Sequence, residues 1–375
     1  RDRPRREKGV MRSAVRAAVW AAGEAGGGGR HVWPSSGTAS RRRQNENENK
    51  WPTTSTSTTF ATRCSVQQRG DVALASTSRF CFWDLIRFVE SKQSLCVLTG
   101  AGISTESGIP DYRGPQGAYT TGFKPVMHLD FVRKESVRKR YWGRSMEGWR
   151  KFSRCRPNSG HIALANMEST GRVNGIITQN VDRLHQQAGS KRVLELHGTT
   201  HEVVCLECSY RTPRDAFQGV LEELNPPTAD ADVSGKPLFS TAQGTPGLQR
   251  PDGDVEIDVA EAFSVPHCPK CSRGEGSQSG DGILKPDVTF FGDNVPRWRH
   301  EAANELVRGS DGLLVVGSSL MVFSAFRIAK LAQDLGIEIA VLNAGETRID
   351  EFDGLIKHEA PIGETMTRLV RHANL

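Results

Sequence analysis

Five short apolar runs constrain this chain more than any other feature. Residues 94–99, 173–178, 193–196, 312–316 and 337–342 carry continuous hydrophobicity, as in Gly-Leu-Leu-Val-Val and Ile-Glu-Ile-Ala-Val-Leu. Strands buried on both faces read this way. Helical patterns over 79–90, 129–153, 159–170, 297–308 and 323–335 are interleaved with them. The alternation predicts an α/β fold with a parallel sheet and helices on both faces. Between about 200 and 285 it breaks into cysteine pairs, Pro/Gly loops and a charged stretch, which reads as a small inserted module. No internal repeat is evident.

The net charge of +6 over 375 residues is concentrated in the first fifty, from Arg1 to Arg43. The rest is nearly balanced, so no nucleic-acid partner is expected. No run approaches the roughly 18 apolar residues of a membrane span, and a soluble chain without a membrane partner is expected. Residues 1–75 lack hydrophobic periodicity and contain a Gly26–Gly29 run, an Asn-Glu repeat and a Ser/Thr tract. From Met11 the Arg-rich, acid-poor composition is that of an organellar transit peptide. A plain tail, or a translated extension ahead of Met11, fits the same residues. The mitochondrial matrix is the expected location, with the plastid as the alternative.

Of eight cysteines, four form two Cys-x-x-Cys pairs, Cys205/Cys208 and Cys268/Cys271, with 59 residues between them. Four thiolates make a closed tetrahedral Zn²⁺ site with no open position, so one structural zinc is expected. His201 and His267 stand beside the pairs, but the cysteines already complete the shell.

The ends of the apolar runs hold the candidate chemistry, where ligands gather in an open α/β sheet. After Leu95–Leu98 comes Gly100-Ala101-Gly102-Ile103-Ser104-Thr105, whose small residues let backbone N–H groups approach a phosphate. A dinucleotide fingerprint requires glycine where Thr105 stands, and the tail Pro110-Asp111-Tyr112-Arg113 departs from a dehydrogenase turn. Gly317-Ser318-Ser319 and Asn343-Ala344-Gly345 follow two further runs and suit ribose or phosphate oxygens, or are plain turns. Gln179-Asn180-Val181-Asp182 offers amide and carboxylate groups, or caps a helix. His197, between an apolar strand and Gly198, is placed as a general base or as a satisfied core histidine. Gly282 to Asp293 reads as a strand whose edge suits an extended peptide, or as an ordinary buried strand.

Taken together, the blocks GAGISTESGIPDYRG, TQNVDRLH, LELHG, CLEC, CPKC, GILKPDVTFFGD, VVGSSL and VLNAG, in this order from about 79 to 370, resemble a sirtuin. Sirtuins are NAD-dependent protein lysine deacylases. RYWGRS, RPDGDVEI and FFGDNVP look most like the class II mitochondrial branch, especially its plant and green-algal form. The resemblance implies a Rossmann-like large part over about 76–110, 155–200 and 285–375. It also implies a helical cofactor-loop module over about 111–154 and a zinc module over about 200–285, all within a catalytic domain 76–375 preceded by the extension 1–75.

It further implies removal of acyl groups from protein lysines, with NAD consumed as co-substrate and nicotinamide, O-acyl-ADP-ribose and free lysine formed. His197 would be the base and Asn180 would orient ribose and water. Asp182 and Ile103 would hold the carboxamide. Gly100, Ala101, Gly102, Thr105, Asp111, Tyr112 and Arg113 would form the cofactor turn and loop. Gln179, Gly317, Ser318, Ser319, Asn343, Ala344, Gly345 and Ile362 would complete the NAD site. Strand 286–291, with Val288 central and with Phe290 and Gly292, would pair with an acylated protein or peptide. Gly114, Ala344 and a loop insertion at Ser272–Asp281 depart from the family pattern. Tyr141-x-x-Arg144 has the spacing of sirtuins that prefer acidic acyl groups, or is helix surface. A monomer is expected. The alternatives are mono-ADP-ribosyl transfer from the same NAD site and a catalytically silent zinc-containing binding module.

Overall fold

The computed structural model describes residues 81–115, 117–122, 124–226, 239–240, 249–271 and 282–373. The extension 1–75, the expected start of the first helix at 79–80 and the insertion 272–281 lie outside the described residues. In chain order, α1 (Phe82–Ser91) leads to β1 (Leu95–Thr99) and a 3₁₀ turn (Ala101–Ser107). Helices α2 (His128–Arg133), α3 (Glu135–Phe152) and α4 (Ser159–Ser169) follow, then β2 (Val173–Thr178), α5 (Leu184–Gln187) and β3 (Val193–Glu195). The inserted region holds β4 (Gly198–Cys205), β5 (Arg211–Pro213), α6 (Arg214–Leu224), β6 (Phe239–Ser240), β7 (Asp258–Val259) and β8 (Leu284–Val288). The chain closes with α7 (Arg297–Arg308), β9 (Gly312–Val316), α8 (Phe323–Asp334), β10 (Glu338–Leu342), β11 (Ile356–His358) and α9 (Ile362–His372).

The six-stranded sheet runs β11-β10-β9-β1-β2-β3, every pair parallel. Successive side chains of a strand face opposite sides. Leu95, Val97, Leu314, Val316, Ala340 and Leu342 therefore pack with Leu85 and Phe88 of α1, Leu164 and Met167 of α4, and Met366 and Leu369 of α9. Helices α7 and α8 contact the sheet through β2, β3, β9 and β10. Both faces are covered, which is why the strands are continuously apolar. Strand order reverses between β1 and β9, and a crevice at such a switch point is where this architecture binds ligands.

The second sheet, β5-β4-β8, is antiparallel. Its core is shared with the helices before it: Phe131, Tyr141, Trp142 and Met146 pack with Val203, Phe217, Leu221 and Leu284. Trp142 Nε1 donates to the Leu284 carbonyl at 3.1 Å, so even the indole N–H is satisfied in this core.

Two expectations are corrected. The helix read over 129–153 is two helices, because Lys134 is extended (φ −115°, ψ 113°) and ends α2 while starting α3. Arg138 Nη1 donates to the Phe131 and Val132 carbonyls, satisfying the exposed end of α2. The strand expected over 286–291 ends at Val288, where it is paired with Gly198, so Val288 is terminal and not central. Asp293 N bonds to Phe290 O at 3.0 Å and Gly292 sits at φ +79°, so the chain turns there. The turn after β1 is 3₁₀ and ends at Gly108 (φ +84°). Among the described residues no helix is long and apolar enough to cross a membrane.

Candidate functional site

A cleft of about 910 Å³ opens at the β1/β9 switch point and extends to the second sheet. Its floor is a close meeting of two glycine turns. Gly100 N donates to Val316 O at 3.1 Å and Gly102 N to Gly317 O at 2.9 Å. A Cβ on Gly102 would lie 2.9 Å from Gly317 O, and one on Gly100 would lie 2.8 Å from it. Glycine is required at 100 and 102 for this backbone approach, and at Gly317 (φ +62°) for conformation as well. Gly100, Ala101, Gly102, Gly317, Ser318, Ser319, Asn343, Ala344 and Gly345 all line the cleft. Ile103, Thr105 and Ile362 do not. Ile103 is 1% exposed beneath the turn, Thr105 turns its hydroxyl back to Gly102 O at 2.9 Å, and Ile362 packs against the core of the sheet.

The segment after β2 is tied to this floor. Gln179 Nε2 donates to Ser318 Oγ at 2.6 Å and to Thr99 O at 3.2 Å, bridging the two turns. Asn180 Nδ2 donates to Gly100 O at 3.1 Å and Ser104 Oγ at 3.0 Å. Ser104 Oγ donates in turn to Asp182 Oδ2 at 2.7 Å, and Asp182 Oδ1 accepts from Leu184 N at 2.9 Å. Burial raises the Asp182 pKa, while these donors oppose that shift. Ser104 is a lining residue that the sequence reading passed over. It lacked a signal because a serine inside a turn motif looks like turn chemistry.

His197 lines the cleft, following β3. Its Nδ1 lies 3.1 Å from the Gln179 carbonyl, which only accepts, so Nδ1 carries the proton. Nε2 lies 2.8 Å from Ser324 Oγ, and in the neutral ring it accepts from that hydroxyl. Desolvation, reinforced by Arg299 and His300, lowers the pKa to about 4 against the pull of the Gln179 carbonyl. The imidazole is therefore a neutral base at pH 7, its reactive nitrogen already engaged with an O–H donor.

The opposite wall is the loop after Ile109. Asp111 Oδ1 accepts from Gly114 N at 2.8 Å, Ala118 N donates to Asp111 O, and the Arg113 guanidinium stacks 5.1 Å from the Tyr119 ring centroid. Asp111, Tyr112 and Arg113 all line the cleft. Arg250 Nη1 anchors the loop at Thr121 Oγ1, 2.9 Å away. Tyr141 lines the cleft, whereas Arg144 donates to Ile257 O at 3.0 Å and does not line it. The Tyr-x-x-Arg spacing thus places only its tyrosine in the cleft. Asp252, from the loop before β7, lines it as well. Val288, Phe290 and Gly292 line the cleft too, as do Met321, Phe323 and Ser324. No site role was legible for Asp252, Phe323 or Ser324, since each enters the cleft only through tertiary packing.

The Sγ atoms of Cys205, Cys208, Cys268 and Cys271 lie within 4.8 Å of one another. The 205–271 and 208–268 pairs are 3.6 and 3.5 Å apart. Tetrahedral ligands at about 2.3 Å from zinc stand roughly 3.8 Å apart, so the four thiols fit that ion. Gly282 leaves the room: a Cβ there would be 2.6 Å from Cys271 Sγ. His201 is not in the cluster; its Nε2 donates to the Asp182 carbonyl at 3.0 Å and its ring packs on Trp149.

The profile of the Sir2 family matches residues 100–324. The chain is 48% identical over 296 residues to the NAD-dependent protein deacylase SRT2 of Arabidopsis thaliana, covering 76% of this chain and 75% of that one. It is 43% identical over 287 residues to the mitochondrial NAD-dependent protein lipoamidase sirtuin-4 of Bos taurus, covering 76% and 84%. A solved Sir2 complex with a p53 peptide and NAD⁺ superimposes with a TM-score of 0.58 at 29% identity, covering 78% of this chain and 98% of that one.

Proposed function

This chain belongs to the Sir2 family, the sirtuins, and on that premise we infer that it is an NAD-dependent protein lysine deacylase. The observation that carries the reading is His197: a neutral imidazole whose bare Nε2 accepts from a hydroxyl inside the cleft. NAD, bound as co-substrate, supplies the ADP-ribosyl group that takes the acyl, so nicotinamide, free lysine and O-acyl-ADP-ribose are formed.

His197 removes a proton from a ribose hydroxyl through Nε2, as its tautomer and lowered pKa allow. Asn180 has both amide hydrogens committed to the Gly100 turn and Ser104, which leaves its carbonyl oxygen to orient ribose or water. Asp182, fixed by two donors, holds the carboxamide, with the backbone around Ile103 and Ser104 beside it. The glycine turns Gly100–Gly102 and Gly317–Ser319 take the phosphates and Asn343–Gly345 the far ribose. Asp111–Arg113 cover the reacting centre and exclude water. An acylated peptide enters between Val288–Gly292 and Met321–Ser324. The zinc holds the β4/β8 end together and takes part in no step.

The transit-like extension and the mitochondrial sirtuin-4 relative support a mitochondrial matrix location. The chemistry is tested with NAD and a panel of acetyl, lipoyl, methylglutaryl, succinyl and long-chain acyl-peptides, followed by mass analysis. O-acyl-ADP-ribose is expected. ADP-ribose left on protein would replace this reading with mono-ADP-ribosyl transfer. No nicotinamide release with any peptide would replace it with a silent binding module.

A further inference from the structure

We propose that Ser324 is a positioning residue for His197, holding the imidazole with Nε2 aimed into the cleft until a ribose hydroxyl takes its place. The proposal rests on the deacylase reading and concerns the same site. Nε2 has one lone pair, and it is engaged by Ser324 Oγ at 2.8 Å. The other ring nitrogen is engaged by the Gln179 carbonyl at 3.1 Å. The ring is thus clamped from both ends by groups on different elements. Gln179 follows β2, and Ser324 lies in the first turn of α8. That turn is itself anchored: Ala325 N and Phe326 N bond to Val322 O, and Ala325 is fully buried. The serine hydroxyl is therefore presented from a fixed backbone and lines the cleft.

A hydroxyl suits both states of the base, since it donates to the neutral ring and accepts from the protonated one. In the reaction the ribose O–H bond breaks and the Nε2–H bond forms, with the electron pair left on the ribose oxygen. No covalent bond of Ser324 changes; it yields its hydrogen bond to the substrate and recovers it afterwards. With alanine at 324 a single hydrogen bond holds the ring, which is then free to rotate about it.

The test compares Ser324→Ala and Ser324→Thr in the full chain. Ser324→Ala is expected to lower kcat for deacylation by roughly 3- to 10-fold, the scale of one lost hydrogen bond, with KM for NAD unchanged. Ser324→Thr, which keeps the hydroxyl, is expected to stay within about twofold of the parent. Independently, the ¹⁵N resonance of His197 Nε2 in substrate-free protein, assigned by its loss in His197→Gln, should move in Ser324→Ala and hold in Ser324→Thr. An unchanged kcat in Ser324→Ala, equal impairment of both variants, or an unmoved resonance would overturn the proposal. A parent chain without turnover would instead overturn the deacylase reading, and the resonance alone would then decide the role of Ser324.

Discussion

Replacing Gly317 with alanine tests the close meeting of two turns on which the cleft is built. Gly317 sits at φ +62°, and a Cβ there would lie 2.4 Å from Ile103 N, 2.8 Å from Gly102 C and 3.0 Å from Ile362 Cδ1. The left-handed backbone costs a non-glycine residue about 1–2 kcal/mol. Forcing the turns apart adds about 1–3 kcal/mol, as overpacking does elsewhere. At the middle of that sum, about 3.5 kcal/mol, Tm falls by roughly 7–14 °C. Gly108→Ala is the control: φ is +84°, but nothing lies within 4 Å of its Cβ. Only the backbone cost applies there, roughly 2–8 °C in Tm. Thermal denaturation followed by circular dichroism reads both, and calorimetric titration reads NAD binding. Gly317→Ala should melt well below Gly108→Ala and bind NAD more weakly, whereas Gly108→Ala should keep NAD affinity. If the two variants melt together and bind NAD alike, the close approach of the turns is not what shapes the floor.

Two further outcomes follow from the same structure. A strong chelator should remove one zinc per chain, and Cys208→Ser should weaken its retention. Limited proteolysis should then open the 200–285 region, because binding energy of a structural metal is folding energy; unchanged protection would refute the four-thiolate site. Acid should destabilise the protein, because burial holds His161, His197 and His201 down to about 4 from an ordinary 6.5. The unfolded chain then binds more protons between those values, so stability is full above about pH 6.5 and falls as pH drops toward about 4. Denaturant unfolding across that window should show the loss, and a flat profile would refute the burial.

Much of this was legible in the residues. Strands buried on both faces must be continuously apolar, so β1, β2, β9 and β10 stood out; edge strand β3 showed only through Val-Leu-Glu-Leu, with Leu194 alone buried within it, and the other edge strand, β11 (Ile-Lys-His), carries no such run. The cysteine pairs signalled their site because four thiolates at that spacing have little else to do. The break at Lys134 was invisible, since it depends on Arg138 reaching back to two carbonyls of α2. The strand end at Val288 was equally hidden, being set by pairing with Gly198. Among site residues, those on sequence-contiguous turns were found together. Asp252 and Ser324 were not, because their places in the cleft come from elements that meet only in the folded chain, while Ser104, inside the first turn, looked like ordinary turn chemistry.

The central claim is that His197 is the base of NAD-dependent deacylation, and His197→Tyr tests it most directly. The variant should keep its zinc and its circular dichroism spectrum while O-acyl-ADP-ribose formation from NAD and an acyl-peptide is abolished. Unchanged turnover in a folded, zinc-loaded His197→Tyr protein would contradict the account.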